Sequence, residues 1–282
     1  MTRCLAIGLL AAAALSAAPR QACGWGLASH RMIAEQAIET LPDSLRAFLR
    51  AHRRELSDLA VEPDTVLRER DGRKETVRHF IDLDLYGAPP FAELPRSYRA
   101  AVERYGTAAV QERGTVPWTI EEHHQRMIRE LRDGDWRQTV RAAGLAAHYV
   151  ADATMPLHTT ADYDGQKTGS PGIHRAIEHD LVDARLREYR KRLRGKVEPA
   201  RAAAYGSDQI FALLLESYAS LAELRAAERE ARSRGSFLSA EYLEALDERA
   251  GNLIAARLAR AINFLGAFWL SAWQEAGRPA LP

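Results

Sequence analysis

The sequence predicts an all-α fold, a single-domain multi-helix bundle, and three observations predict it. From residue 25 onward the chain is rich in Ala, Leu, Arg and Glu and shows little of the β-branched alternation that marks strands. Apolar residues recur at helical spacing over 27–40, 43–58, 96–105, 119–132, 135–153, 173–194, 206–229 and 238–275. Pro and Gly fall between these stretches, at 87–90, 114–117, 156 and 165–172. Polar start signals precede three of them: Asp43-Ser44, Ser207-Asp208 and Ser239. The length, 282 residues, suits one large domain or two small ones. With no internal repeat, low-complexity tail or long linker, one domain over 25–282 is the simplest expectation.

Residues 1–24 read as an export signal. Arg3 gives the positive start, Leu5 to Ala18 is an apolar run too short to span a bilayer comfortably, and Ala22-Cys23-Gly24 puts small residues before Trp25. An uncleaved anchor is the plainer alternative, and Pro19-Arg20-Gln21-Ala22 lacks the apolar lead of a lipobox. Both cysteines, Cys4 and Cys23, leave with the signal, so the mature chain has no disulfide although a periplasmic or extracellular destination permits them. Something else then has to hold it together, and a large helical core or bound metal would serve. The net charge is +1, and removing Arg3 and Arg20 makes it about −1. That balance offers no basic surface for duplex DNA or an anionic membrane. A monomer with no membrane-spanning segment in the mature chain is expected.

The histidines point to chemistry. In His148-Tyr-Val-Ala-Asp152-Ala-Thr-Met-Pro-Leu-His158, His148 and Asp152 stand four apart on a predicted helix and share one face. Imidazole and carboxylate are both good zinc ligands. Pro156 ends the helix and lets His158 turn back. His174-Arg-Ala-Ile-Glu178 repeats the i, i+4 pairing after Pro171-Gly172. Arg78-His79-Phe-Ile-Asp82, Glu62-Pro63-Asp64 and Trp25-Gly-Leu-Ala-Ser-His30 complete the set. Taken singly each has a bland reading: a surface hydrogen bond, an ordinary Pro-Asp turn, a core histidine. Their weight lies in co-occurrence and order. His52, His123, His124 and His179 fit no such pattern and read as surface or packing residues.

In this order the residues resemble the zinc-dependent phospholipase C and single-strand-specific nuclease superfamily. The resemblance covers 25 to about 180. It implies a buried trinuclear zinc site. One zinc is held by Asp64, His79, His148 and Asp152. A second, sharing Asp152, is held by the Trp25 amine and carbonyl with His30. The third is held by His158, His174 and Glu178. Asp64 and Asp152 are then the carboxylates nearest the reaction, a phosphate-ester hydrolysis by a zinc-activated hydroxide. Zinc at all three positions suits histidine-rich ligation better than manganese does. Asp82 is either a partner orienting His79 or a helix-end charge.

The expected substrate is a small phosphodiester. Ser170-Pro171-Gly172 before His174, with Glu178 closing the pair, resembles the phospholipase branch; the nuclease branch closes with an Asp and carries different residues around Asp164-Gly165-Gln166. A phospholipase C-like phosphodiesterase is therefore favoured over a single-strand-specific, 3′-nucleotidase-like nuclease. Tyr86, Trp118, Trp136, Tyr149 and Tyr163 offer rings for a base or a cationic head group, with the core as their plainer place. A non-catalytic reading, in which zinc merely stabilises a secreted binding protein, predicts closed four-ligand sites.

Overall fold

The structure, a computed structural model, describes residues 25–201 and 205–282, so the expected export signal at 1–24 lies outside it. The described residues form helices and turns, with no strand among them. The α-helices are α1 Leu27–Glu39, α2 Asp43–Ala51, α3 Arg53–Leu59, α4 Arg68–Asp71, α5 Arg73–Thr76, α6 Tyr98–Tyr105 and α7 Thr107–Glu112. There follow α8 Val116–Asp133, α9 Trp136–Thr154, α10 Ile173–Arg175, α11 Leu186–Arg192, α12 Ser207–Ala219, α13 Leu221–Arg234 and α14 Ala240–Glu275. Two π-helical segments, Pro63–Leu67 and Ala176–Asp183, and a 3₁₀ turn, Pro156–Thr159, lie between them.

Helix α9 is the centre of the bundle. From Val140 to Thr154 every residue except Arg141 is buried, as expected of a helix that is apolar around most of its circumference. A two-residue turn at Gly134 (φ 70°, ψ 18°) joins it to α8, and the Asp135 side chain accepts from the Gln138 N–H at 3.0 Å to start it. Helices α1, α3, α12 and α14 cover its other sides. A Cβ at Gly144 would overlap Leu59, so glycine there sets how closely α3 approaches. The far end of α9 is tied down by a buried arginine on α14. Arg257 donates to the Thr154 carbonyl (3.1 Å) and to Ser217 Oγ (2.6 Å), which satisfies an end carbonyl that has no partner within its own helix.

The predicted helices are present, and several are subdivided. The stretch 43–58 breaks at His52, and 206–229 breaks at Ser220. At the second break Ser217 Oγ donates to the Leu213 carbonyl and Ser220 Oγ to that of Glu216, back-bonding that bends and ends helices. The stretch 173–194 is α10, a π segment and α11. Of the start signals, Ser239 caps α14 by accepting from the Tyr242 N–H at 3.3 Å. Asp43 and Ser207 lie one residue inside helices whose caps are Pro42 and Gly206.

His123 and His124 on α8 are buried packing residues. His124 Nε2 meets Ser271 Oγ at 3.0 Å, and burial pushes its imidazole down to about 4. Burial and the guanidinium groups of Arg78, Arg126 and Arg141 push His123 down to about 3. A histidine released by unfolding takes up its proton near 6.5, so between there and the folded value the unfolded chain binds more protons. Stability therefore falls as pH drops through that window. Each histidine contributes about 1.4 kcal/mol per pH unit. His124→Gln should reduce the stability lost between pH 7 and pH 5 by about 2 kcal/mol in urea unfolding; an unchanged loss contradicts this account of His124.

Candidate metal centre

Five separate pieces of chain deliver the site. His30 sits in the first turns of α1, and Asp64 in the first π segment. His79 follows α5. His148 and Asp152 lie one turn apart on α9, and the 3₁₀ turn brings His158 back beside them. His174 on α10 and Glu178 in the second π segment close the set. One side-chain and one backbone bond lock two of these pieces: His158 Nδ1 contacts the His79 carbonyl at 2.7 Å, and the Ile81 N–H donates to the His158 carbonyl at 2.9 Å. Both non-adjacent carboxylates, Asp64 and Glu178, stand on π-helical turns, a local geometry frequent at functional sites.

The side chains converge into three groups able to hold a metal ion: His30, His148 and Asp152; Asp64, His79 and His148; and His158, His174 and Glu178. Asp152 joins the first two. Its Oδ2 lies 3.0 Å from His79 Nδ1 and 3.2 Å from His148 Nε2, while Oδ1 faces His30 Nε2 at 3.4 Å. Asp64 Oδ1 is 3.6 Å from His79 Nδ1 and 3.8 Å from His148 Nε2. In the third group His158 Nε2 and His174 Nε2 are 3.1 Å apart, and His174 Nε2 is 2.6 Å from Glu178 Oε1.

The chemistry of this donor set fits cations. His30 and His148 stack face to face at 4.1 Å with both rings buried. Both His30 ring nitrogens and Asp152 Oδ1 are buried without a formed hydrogen bond among the described residues, an expensive arrangement that a metal ion relieves. Burial, then the neighbouring His148, lowers the His30 pKa, which favours the neutral ligand form. Burial opposes ionisation of Asp152, but His148 and His158 outweigh it and hold the carboxyl well below its usual range. His148, His79 and Arg68 do the same, less strongly, for Asp64. Burial opposes a charge on His148, yet Asp152 and Asp64 raise it to about 9.

The nitrogens pointing away from the centre are anchored. His148 Nδ1 contacts the Ala60 carbonyl at 2.9 Å. His79 Nε2 is 3.2 Å from Glu75 Oε1, and Glu75 in turn accepts from the Tyr149 hydroxyl at 2.5 Å. Such outer partners fix which nitrogen faces a metal. Glu75 is thus placed to orient His79, while Asp82, for which the sequence allows either that part or a helix-end charge, lines the neighbouring cleft. The spacing could have revealed Glu75, since it stands four residues before His79.

Two openings reach the centre. A cavity of about 530 Å³ exposes Asp64, His158 and His174 between Arg68 and an apolar wall of Val77, Phe80 and Leu157. A second, of about 590 Å³, reaches His174 and Glu178 beside Arg175 and His179. Tyr163 borders both. Among the candidate stacking rings, Tyr86, Trp118 and Tyr149 are buried, and Trp136 packs against Phe48. Trp25 is buried, its indole donating to Thr154 Oγ1 at 3.1 Å, two residues from Asp152.

A family model described as zinc dependent phospholipase C matches residues 29–262. The chain belongs to the zinc-dependent phospholipase C family. No curated protein matches the chain. The match runs well past residue 180, where the motifs end, so α12, α13 and most of α14 are part of the family fold. The zinc dependence named for the family agrees with the three groups of ligand-type side chains.

Proposed function

We propose that the chain, once exported and cut before Trp25, is a trinuclear zinc phosphodiesterase of phospholipase C type, releasing a phosphorylated head group from a phospholipid. Asp64, His79, His148 and Asp152 hold one zinc, the Trp25 amine and carbonyl with His30 and Asp152 a second, and His158, His174 and Glu178 the third. Bound there, zinc supplies a water of lowered pKa and positive charge against the phosphate.

One observation carries the catalytic reading. The His158/His174/Glu178 group has three protein side chains and opens onto a cleft, whereas structural zinc sites are closed by four. The protein's own groups do the rest. Asp152, facing both of its neighbouring groups, would hold two cations close together. Arg68, 2.6 Å from Asp64 Oδ1, brings a cation to the rim where a phosphate enters. Val77, Phe80 and Leu157 give the cleft an apolar wall, which supports an apolar substrate arm over a nucleotide.

The direct test is an assay of the zinc-loaded mature chain on phosphatidylcholine and on single-stranded DNA and RNA. Phosphocholine release without nucleotide release is expected. Nucleotide release alone moves the protein to the nuclease branch, and inertness towards both and towards bis(p-nitrophenyl) phosphate leaves the structural-zinc alternative. Glu75→Ala should weaken zinc binding by about 10- to 100-fold through the loss of His79 orientation, measured by chelator competition. Wild-type affinity in that variant removes Glu75 from the account.

A further inference from the structure

We propose that Asp183 is a positioning residue of this centre: its carboxylate clamps the first turn of α1 and thereby holds His30, with Trp25 just before it, in register with Asp152. Helix α1 has no cap of its own. Gly26 precedes it, no side chain caps it, and its first turn carries no acid. The unpaired N–H groups of a helix start need acceptors, and Asp183 supplies them from 155 residues away in sequence. Oδ2 accepts from the Ala28 N–H at 3.0 Å, and Oδ1 from the Ser29 N–H at 3.0 Å and the Ser29 hydroxyl at 2.6 Å. Its negative charge also sits at the positive end of the helix dipole.

The fit is close on both sides. A Cβ at Gly26 would overlap the Asp183 carboxylate, and Gly26 has an ordinary extended conformation (φ −53°, ψ 158°). Glycine is therefore needed there for space and not for backbone freedom. Asp183 also ends the π segment that carries Glu178. The π-helical bonding shows in the Ala184 N–H, which donates to the His179 carbonyl at 3.1 Å. This one segment carries both Glu178, 2.6 Å from His174 Nε2, and Asp183, which accepts from the helix that carries His30. The π segment thus ties the His30 end of the centre to the His174/Glu178 end.

The inference rests on the zinc assignment proposed above, and the test separates the two. Zinc content of the full mature chain is measured by elemental analysis, zinc affinities by chelator competition, and melting temperature alongside. Wild type is expected to hold three zincs. In Asp183→Ala one zinc should loosen by about 10- to 100-fold while the other two keep wild-type affinity. Asp183→Asn, whose amide oxygen still accepts, should fall between. An Asp183→Ala protein that keeps all three affinities overturns the proposal, even with a lower melting temperature, because the clamp is then only structural. Should that variant not fold, Ser29→Ala, which removes one of the three hydrogen bonds, must loosen one zinc to a smaller degree; unchanged affinity overturns the proposal equally. A wild-type chain that binds no zinc overturns the site assignment itself and is thereby distinguished from a failure of Asp183 alone.

Discussion

Asp152→Asn should reduce kcat/KM by about 1,000-fold or more, about 4 kcal/mol of lost transition-state stabilisation. The reason lies in its position. One oxygen faces His79 and His148 at 3.0 and 3.2 Å, and the other faces His30 at 3.4 Å. An amide of the same size keeps one acceptor but loses the charge and the second anionic oxygen, so it cannot hold two cations side by side. The helix should survive the change, because the Asp152 backbone lies in a fully packed stretch of α9. Circular dichroism and melting temperature separate loss of chemistry from loss of fold. Activity within tenfold of wild type in a folded Asp152→Asn protein contradicts the bridging role.

The second large effect concerns the chain end. A mature form with one alanine before Trp25 should lose one zinc and at least about 100-fold in activity, since a ligand removed from a reacting metal costs at least as much as a lost orienting partner. A peptide nitrogen in place of the terminal amine is a poor ligand. Trp25 cannot move aside to compensate, because it is buried and its indole is fixed to Thr154. Metal content and phosphodiester hydrolysis of the two forms, prepared in parallel, decide this. Three zincs and full activity in the extended form rule out the terminal amine as a ligand.

The sequence makes much of this centre legible because ligand spacing follows helix geometry. His148 and Asp152, and His174 and Glu178, stand four residues apart, so their meeting follows from one helical turn. Pro156 marks where α9 ends and His158 turns back. What stays hidden is hydrogen-bond register. Nothing in the apolar periodicity signals that 63–67 and 176–183 wind as π turns, yet those turns carry Asp64, Glu178 and Asp183. The same limit applies to partners distant in sequence. Asp183 reads as one more charge on an amphipathic stretch until α1 is seen resting on it. The segment 61–85 shows no helical pattern because its turns are too short to express one, although it supplies Asp64, Glu75 and His79.

Anomalous diffraction at the zinc absorption edge, from crystals of the zinc-loaded chain, decides whether three zincs share one connected centre. The account predicts three peaks: two on either side of the Asp152 carboxylate, one toward Asp64, His79 and His148 and one toward His30 and the Trp25 backbone, with the third among His158, His174 and Glu178. A saturated crystal with no peak beside Asp152, or with its zinc bound elsewhere on the surface, contradicts it.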